Sequence, residues 1–232
     1  MKYLTTLFAT LAFSSLVSAS TIVVDAPLEH LFIPKGFDNN DNIEVVVSGN
    51  FPSACYARNK VEVKVTDLTI DIKVTALFND NRDYACEKIE VPFTESVTIG
   101  TLQAATYDVM VNGALKEKLT VTESSSEAVD DFLYAQVDYV ELGFTGGVNG
   151  DIFLVGRTND CLALDRIETI SNGKDTLSVL PIMKKVSENC TGARVHFSFP
   201  VNFEIQNYNY EKTLIFVRTL DGKSVHSMIE RN

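Results

Sequence analysis

The chain has 232 residues, with 45% hydrophobic and 22% charged residues, and so has room for one large or two ordinary domains around a substantial core. Normal hydrophobic content with only 12 Gly and 6 Pro excludes disordered and collagen-like chains. A formal charge of −11 repels phosphate backbones and anionic headgroups, so nucleic acid is not expected as a partner.

Met1 to Ala19 has a basic start at Lys2, an apolar run from Tyr3 to Val17 and a small-residue exit at Val17-Ser18-Ala19. This is the pattern of a secretory signal peptide, with the mature chain expected to begin at Ser20. Thr5, Thr6, Thr10, Ser14, Ser15 and Ser18 dilute a run already short for a bilayer of roughly 30 Å, which favours cleavage over anchoring. Losing Lys2 and no acid takes the charge from −11 to −12. No later segment has the roughly 18 unbroken apolar residues of a spanning helix, so no membrane insertion is expected after cleavage. A secreted or periplasmic address follows.

In such a compartment the four cysteines, Cys55, Cys86, Cys161 and Cys190, read as disulfides, and their wide spacing without a nearby His does not suit zinc. Three connectivities are open. An internal repeat chooses among them. VVVSGNFPSACY, KVEVKVTDLTIDIKV, CEKIEVPFTESVTIGTL and YDVMVNG in the first half are matched in order by DIFLVGRTNDCL, LDRIETI with DTLSVLPI, CTGARVHFSFPVNFEI and TLIFVRTLDGKSV. Cys55 to Cys161 is 106 positions, Cys86 to Cys190 is 104, Phe93 to Phe197 is 104 and Gly113 to Gly222 is 109. A near-constant offset implies two copies of one module, each closed by its own disulfide, Cys55–Cys86 and Cys161–Cys190. The serine-rich acidic stretch 123–131 has the composition of a linker, which divides the chain into module 20–122 and module 132–232, each of a size to fold alone.

Within the modules the apolar period is two. Val61, Val63 and Val65, then Ile70, Ile72, Val74 and Ala76, alternate with polar residues, as do Val195, Phe197, Phe199, Val201, Phe203 and Ile205. Pro200 marks its run as an edge strand or a bulge. Ser48-Gly49-Asn50, Asn79-Asp80-Asn81, Asn112-Gly113 and Asp221-Gly222 read as turns. The expected fold is all-β, two tandem antiparallel β-sandwiches. Cys86 followed by Val91-Pro92-Phe93, Val97, Leu102 and the run from Tyr107 to Gly113 resembles the immunoglobulin-like sandwich domains of secreted bacterial proteins, most clearly in the first module. That resemblance implies adhesive, scaffolding or spacer roles and brings no catalytic residues.

Oxygen-bearing residues at Asp38, Asn40 and Asp41 suggest a surface Ca²⁺ site, but Ile43 and Gly49 stand where an EF-hand needs Gly and an acid, and a polar turn accounts for the run unaided. His30, His196 and His226 are scattered. No GxSxG, HExxH or Gly-rich phosphate loop is present, so neither an enzyme nor a cofactor is expected. Tyr208 and Tyr210 sit in a polar hairpin where exposed rings would contact a sugar or protein. The expected function is a non-enzymatic exported binding or structural protein with a protein or glycan partner. A periplasmic chaperone for surface fibres and a sandwich-type protease inhibitor are the alternatives.

Overall fold

The computed structural model describes residues 21–80, 86–128, 130–143, 151–201 and 211–230. The signal segment and the Tyr208 and Tyr210 hairpin lie outside them. In the first unit, β2 (Leu28–Phe32), β3 (Ile43–Phe51) and β6 (Val91–Gly100) form a three-stranded sheet. The second sheet is built on β5 (Thr69–Asn79), which pairs β4 (Tyr56–Thr66) along one edge. Its other edge is shared by β1 (Thr21–Asp25) and β7 (Ala105–Val111), and β8 (Leu115–Val121) closes the sheet beyond β7.

The second unit repeats this plan. β9 (Gln136–Gly143), β10 (Asp151–Asn159) and β13 (Arg194–Val201) form the three-stranded sheet, in the order β13-β10-β9. β11 (Leu162–Ser171), β12 (Thr176–Lys185), β14 (Lys212–Thr219) and β15 (Lys223–Glu230) form the other, in that order. β13 is an edge strand, as Pro200 demands. The disulfides are Cys55–Cys86 and Cys161–Cys190, one per unit, at matching places between strands.

The repeat extends to a strand switch at the head of each unit. The chain runs along β5 as β1 and then crosses at Ala26-Pro27 to the facing sheet as β2. In the second unit Leu133 to Ala135 run along β12, through Ala135 N to Pro181 O at 2.9 Å and Met183 N to Leu133 O at 2.7 Å, before crossing to β9. Each crossing presses on a glycine. A Cβ on Gly49 would lie 2.0 Å from the Pro27 carbonyl oxygen, and one on Gly156 would lie 2.1 Å from that of Gln136. Ser48-Gly49-Asn50 is therefore not a turn: it lies inside β3, and its glycine serves a close backbone approach. A polar side chain pins each crossing. The Asn112 amide donates to Ala26 O and Val74 O and accepts from Val74 N, while the Thr219 hydroxyl donates to Ala135 O and accepts from Val137 N. Asn112 and Gly113 have positive φ, the geometry that an Asn-Gly hairpin turn supplies cheaply.

One expectation needs correction. Each unit has one parallel pair, β5 with β7 and β12 with β14, so its sheets are not purely antiparallel. The strand β1, or the Leu133 to Ala135 segment, fills only part of the central strand's edge, and the chain returns from the opposite sheet to fill the rest in the same direction.

The four sheets stack. Phe32 and Val46 lie on the outer face of the first unit's small sheet and are fully buried, because Leu214, Phe216 and Met228 of the second unit cover them. On the other face of that second-unit sheet, Leu177, Val179, Ile215 and Val217 pack against Ile152, Leu154 and Phe197. Both middle sheets are thus buried on two sides. This explains β12 and the Thr213-Leu-Ile-Phe-Val217 run of β14, which are apolar on both faces instead of alternating. The first unit's core thus takes in Leu214, Phe216 and Met228 of the second unit, while the core on the other side of β12 and β14 is built from second-unit residues.

Candidate functional site

The junction between the units is organised around Arg218, at the end of β14. Its side chain is 6% exposed and donates to Asp41, with one contact at 2.7 Å, to Asp130 and to Gly36 O at 3.1 Å. The guanidinium lies over the Tyr134 ring, 4.7 Å from its centroid, and 5.6 Å from that of Phe37. A planar cation between two rings suits an Arg better than a Lys. Burial opposes the Arg218 charge, but the hydrogen bond to Asp41, with Tyr134 and Asp130, leaves its pKa raised.

The polar run at 38–42 supplies the acids. Asp41 has no exposed surface and accepts from Asp38 N, closing the turn expected there. Asp130 enters from the linker, and Asp38 lies beside Asp41. Burial first, then the charges of Asp41 and Asp131, push Asp38 up to about 6. Burial and its hydrogen bond with Asp41 push Asp130 up to about 6. Asp131 is held well below the usual carboxylate range by hydrogen bonds from the Ser125 hydroxyl and N–H. It also accepts from Asn40, fastening the linker to the same turn. The linker is held at both acids, not free in solvent.

The sequence candidates Asp38, Asn40 and Asp41 thus come together in one turn, where Asp41 pairs with Arg218 and Asn40 donates to Asp131. Asp38 Oδ1 and Asn40 Oδ1 are buried without a partner. Among the described residues three metal-ligating groups gather only at Asp160, Cys161 and Cys190, where both sulfurs are locked in a disulfide and Asp160 accepts from Thr191. Sequence reasoning missed Arg218 and Asp130. The signal for Arg218 was a lone cation ending a run apolar on both faces.

Two further contacts cross the junction. Ser96 Oγ lies 3.3 Å from His226 Nδ1, and burial holds His226 below its ordinary value. Ser224 donates to Glu44, whose other oxygen accepts from Thr98, so that carboxylate is engaged by hydroxyls. Beside the junction, a groove of about 580 Å³ runs along β8 to the turn before β12, lined by Lys35, Lys116, Lys118 and Lys174 together with Asp108, Glu117 and Asp175. Lys118 pairs with Asp108 and Lys174 with Glu117, while no ion pair forms at Lys35 or Lys116 among the described residues.

With this geometry in place, comparison with known families finds one match. The ORF11 beta-sandwich domain family matches residues 45–122. The matched stretch runs from β3 to just past β8 and includes the first disulfide, and it establishes a β-sandwich fold. No curated protein and no solved structure matches the chain.

Proposed function

We propose that the chain is an exported, non-enzymatic binding or structural protein of the cell envelope or extracellular space, acting through protein–protein or protein–glycan contacts. The observation that carries this reading is the four-sheet stack, in which Arg218 with Asp41, Ser96 with His226 and Ser224 with Glu44 join one sandwich to the other. Two disulfides suit an oxidising compartment, and no described helix is long and apolar enough to cross a membrane. The Tyr107 hydroxyl donates to Gln103 O at 2.9 Å, a contact that supports an immunoglobulin-like affiliation, and the parallel β5–β7 pair departs from it. The test is surface plasmon resonance of the immobilised full chain against purified envelope glycans and envelope proteins, run beside ester, peptide and glycoside hydrolysis assays. Saturable binding without turnover is expected. Turnover that disappears in Ser96→Ala would overturn the proposal, since Ser96 and His226 are the pair an enzyme reading would need.

The lysine-lined groove favours a second reading, a chaperone gripping the carboxylate terminus of a partner subunit. It requires that a peptide acid bind, that its amide not bind, and that Lys35→Glu with Lys116→Glu abolish the difference.

A further inference from the structure

In the first unit β4 and β6 are edge strands of the two facing sheets, and the sandwich opens between them. On each strand the inward row of apolar residues is interrupted by a charge. Arg58 follows Tyr56 on the inner face of β4, and Glu95 lies between Phe93 and Val97 on the inner face of β6. The two charges meet across the opening at 2.7 Å. Beneath them lies a cleft of about 170 Å³ floored by Ala26, Phe51, Val61, Val74 and Phe93. The Phe51 and Phe93 rings are stacked there, 4.2 Å between centroids. The rim is held in place by a bulge of β4 between Arg58 and Val61. The Thr75 hydroxyl pins that bulge, donating to Lys60 O and accepting from Lys60 N and the Asn59 amide.

The second unit has apolar residues at the same two places. Leu164 and Phe199 correspond to Arg58 and Glu95, three and nine positions past the matching cysteines, and Leu164 also stands at its strand's bulge. Both pack against the second unit's core, and Phe199 stacks on Phe197 at 4.1 Å. The first unit instead has an ion pair above an apolar floor. Inward charges on edge strands discourage edge-to-edge pairing, but that role calls for no space beneath them. Atoms lining such a space lose contacts that a compact apolar group restores. Since a cavity of about 150 Å³ holds one benzene ring, this cleft is of single-ring size. Among the described residues the Arg58 guanidinium donates only to Glu95, which leaves the rest of its planar fork at the rim. Such a fork grips a carboxylate through two parallel hydrogen bonds.

We propose that the cleft between β4 and β6 binds a small single-ring carboxylic acid, its ring on Phe51, Phe93, Val61 and Val74 and its carboxylate on Arg58. The inference goes beyond the protein and glycan contacts proposed above and does not rest on them. Titrating the full ¹⁵N-labelled mature protein with sodium phenylacetate, followed by amide correlation spectra, tests it. Saturable shifts centred on Val61, Thr75 and Phe93 are expected, with a Kd of about 1 mM or tighter. Benzyl alcohol, with the ring but no charge, and acetate, with the charge but no ring, should each bind at least about tenfold more weakly. Arg58→Gln should bring phenylacetate to the level of benzyl alcohol. Arg58→Leu with Glu95→Phe, the second unit's own residues, should abolish binding of both at unchanged circular dichroism. Arg58→Gln changes an exposed side chain and decides the matter even if the double variant does not fold. Absence of shifts up to about 20 mM phenylacetate overturns the proposal, as do shifts centred elsewhere. Acetate or benzyl alcohol binding as tightly as phenylacetate, or phenylacetate binding untouched by Arg58→Gln, overturns it too.

Discussion

Replacing Arg218 by alanine is the sharpest perturbation of the junction. The guanidinium is the counter-charge of Asp41, which has no exposed surface, and also contacts Asp130 and two aromatic rings. Removing one partner of a buried ion pair leaves the other uncompensated in a low-dielectric site, which typically costs about 3–5 kcal/mol. For a chain of this size each kcal/mol moves the midpoint by about 2–4 °C, so Arg218→Ala should lower Tm by about 6–20 °C. The assay is thermal unfolding followed by circular dichroism at pH 7. Because Arg218 ties the end of β14 to the first unit and to the linker, the variant should also unfold less cooperatively than the parent. Adding Asp41→Asn to Arg218→Ala removes the stranded charge, so the double variant should lose less than the sum of the two single changes. An Arg218→Ala protein within about 1 kcal/mol of the parent would refute the reasoning, because the pair would then contribute no more than an exposed one.

Asp38 and Asp130, pushed up to about 6, bind protons in the folded state that the unfolded chain releases nearer pH 4. Their contribution to stability should therefore be greatest at and below about pH 4 and decline as pH rises through about 6, and Asp130→Asn should flatten that decline in urea titrations at a series of pH values. Asp131, held low, acts in the opposite sense, with a contribution lost only as pH falls below the ordinary Asp range. Gly156→Ala places a methyl 2.1 Å from a carbonyl oxygen and should destabilise by about 1–3 kcal/mol or more, seen as a lower urea midpoint, with Gly49→Ala behaving alike. Replacing Cys161 and Cys190 together by serine opens a loop whose ends are 29 residues apart and should cost about 3–4 kcal/mol on the chain-entropy account, measured against the parent under non-reducing conditions.

The duplicated plan was legible because disulfide spacing and period-two alternation are local signals: Ile70, Ile72, Val74 and Ala76 are all buried as their alternation requires. The stacking was not legible, because it is written in the absence of alternation. A run such as Thr213-Leu-Ile-Phe-Val217 reads equally as any buried segment until its second face is known to be covered. Gly49 was misread for a related reason, since a glycine beside Ser and Asn signals a turn locally and only the fold shows the crossing strand above it. At the junction, Asp38, Asn40 and Asp41 declared a polar turn. Arg218, the partner of Asp41, lies 177 positions away, a distance over which no short-range pattern operates.

Burial of the two inner sheets from both sides also partitions where the chain can vary. A strand such as β4, with one face in solvent, can exchange Lys64 or Glu62 for almost any polar residue, whereas β3, β12 and β14 have no such latitude at Val46, Leu180 or Phe216. Among natural variants and in saturation mutagenesis the permissive positions should concentrate on the outward faces of the two outermost sheets, with the intolerant ones in two adjoining bands at the centre.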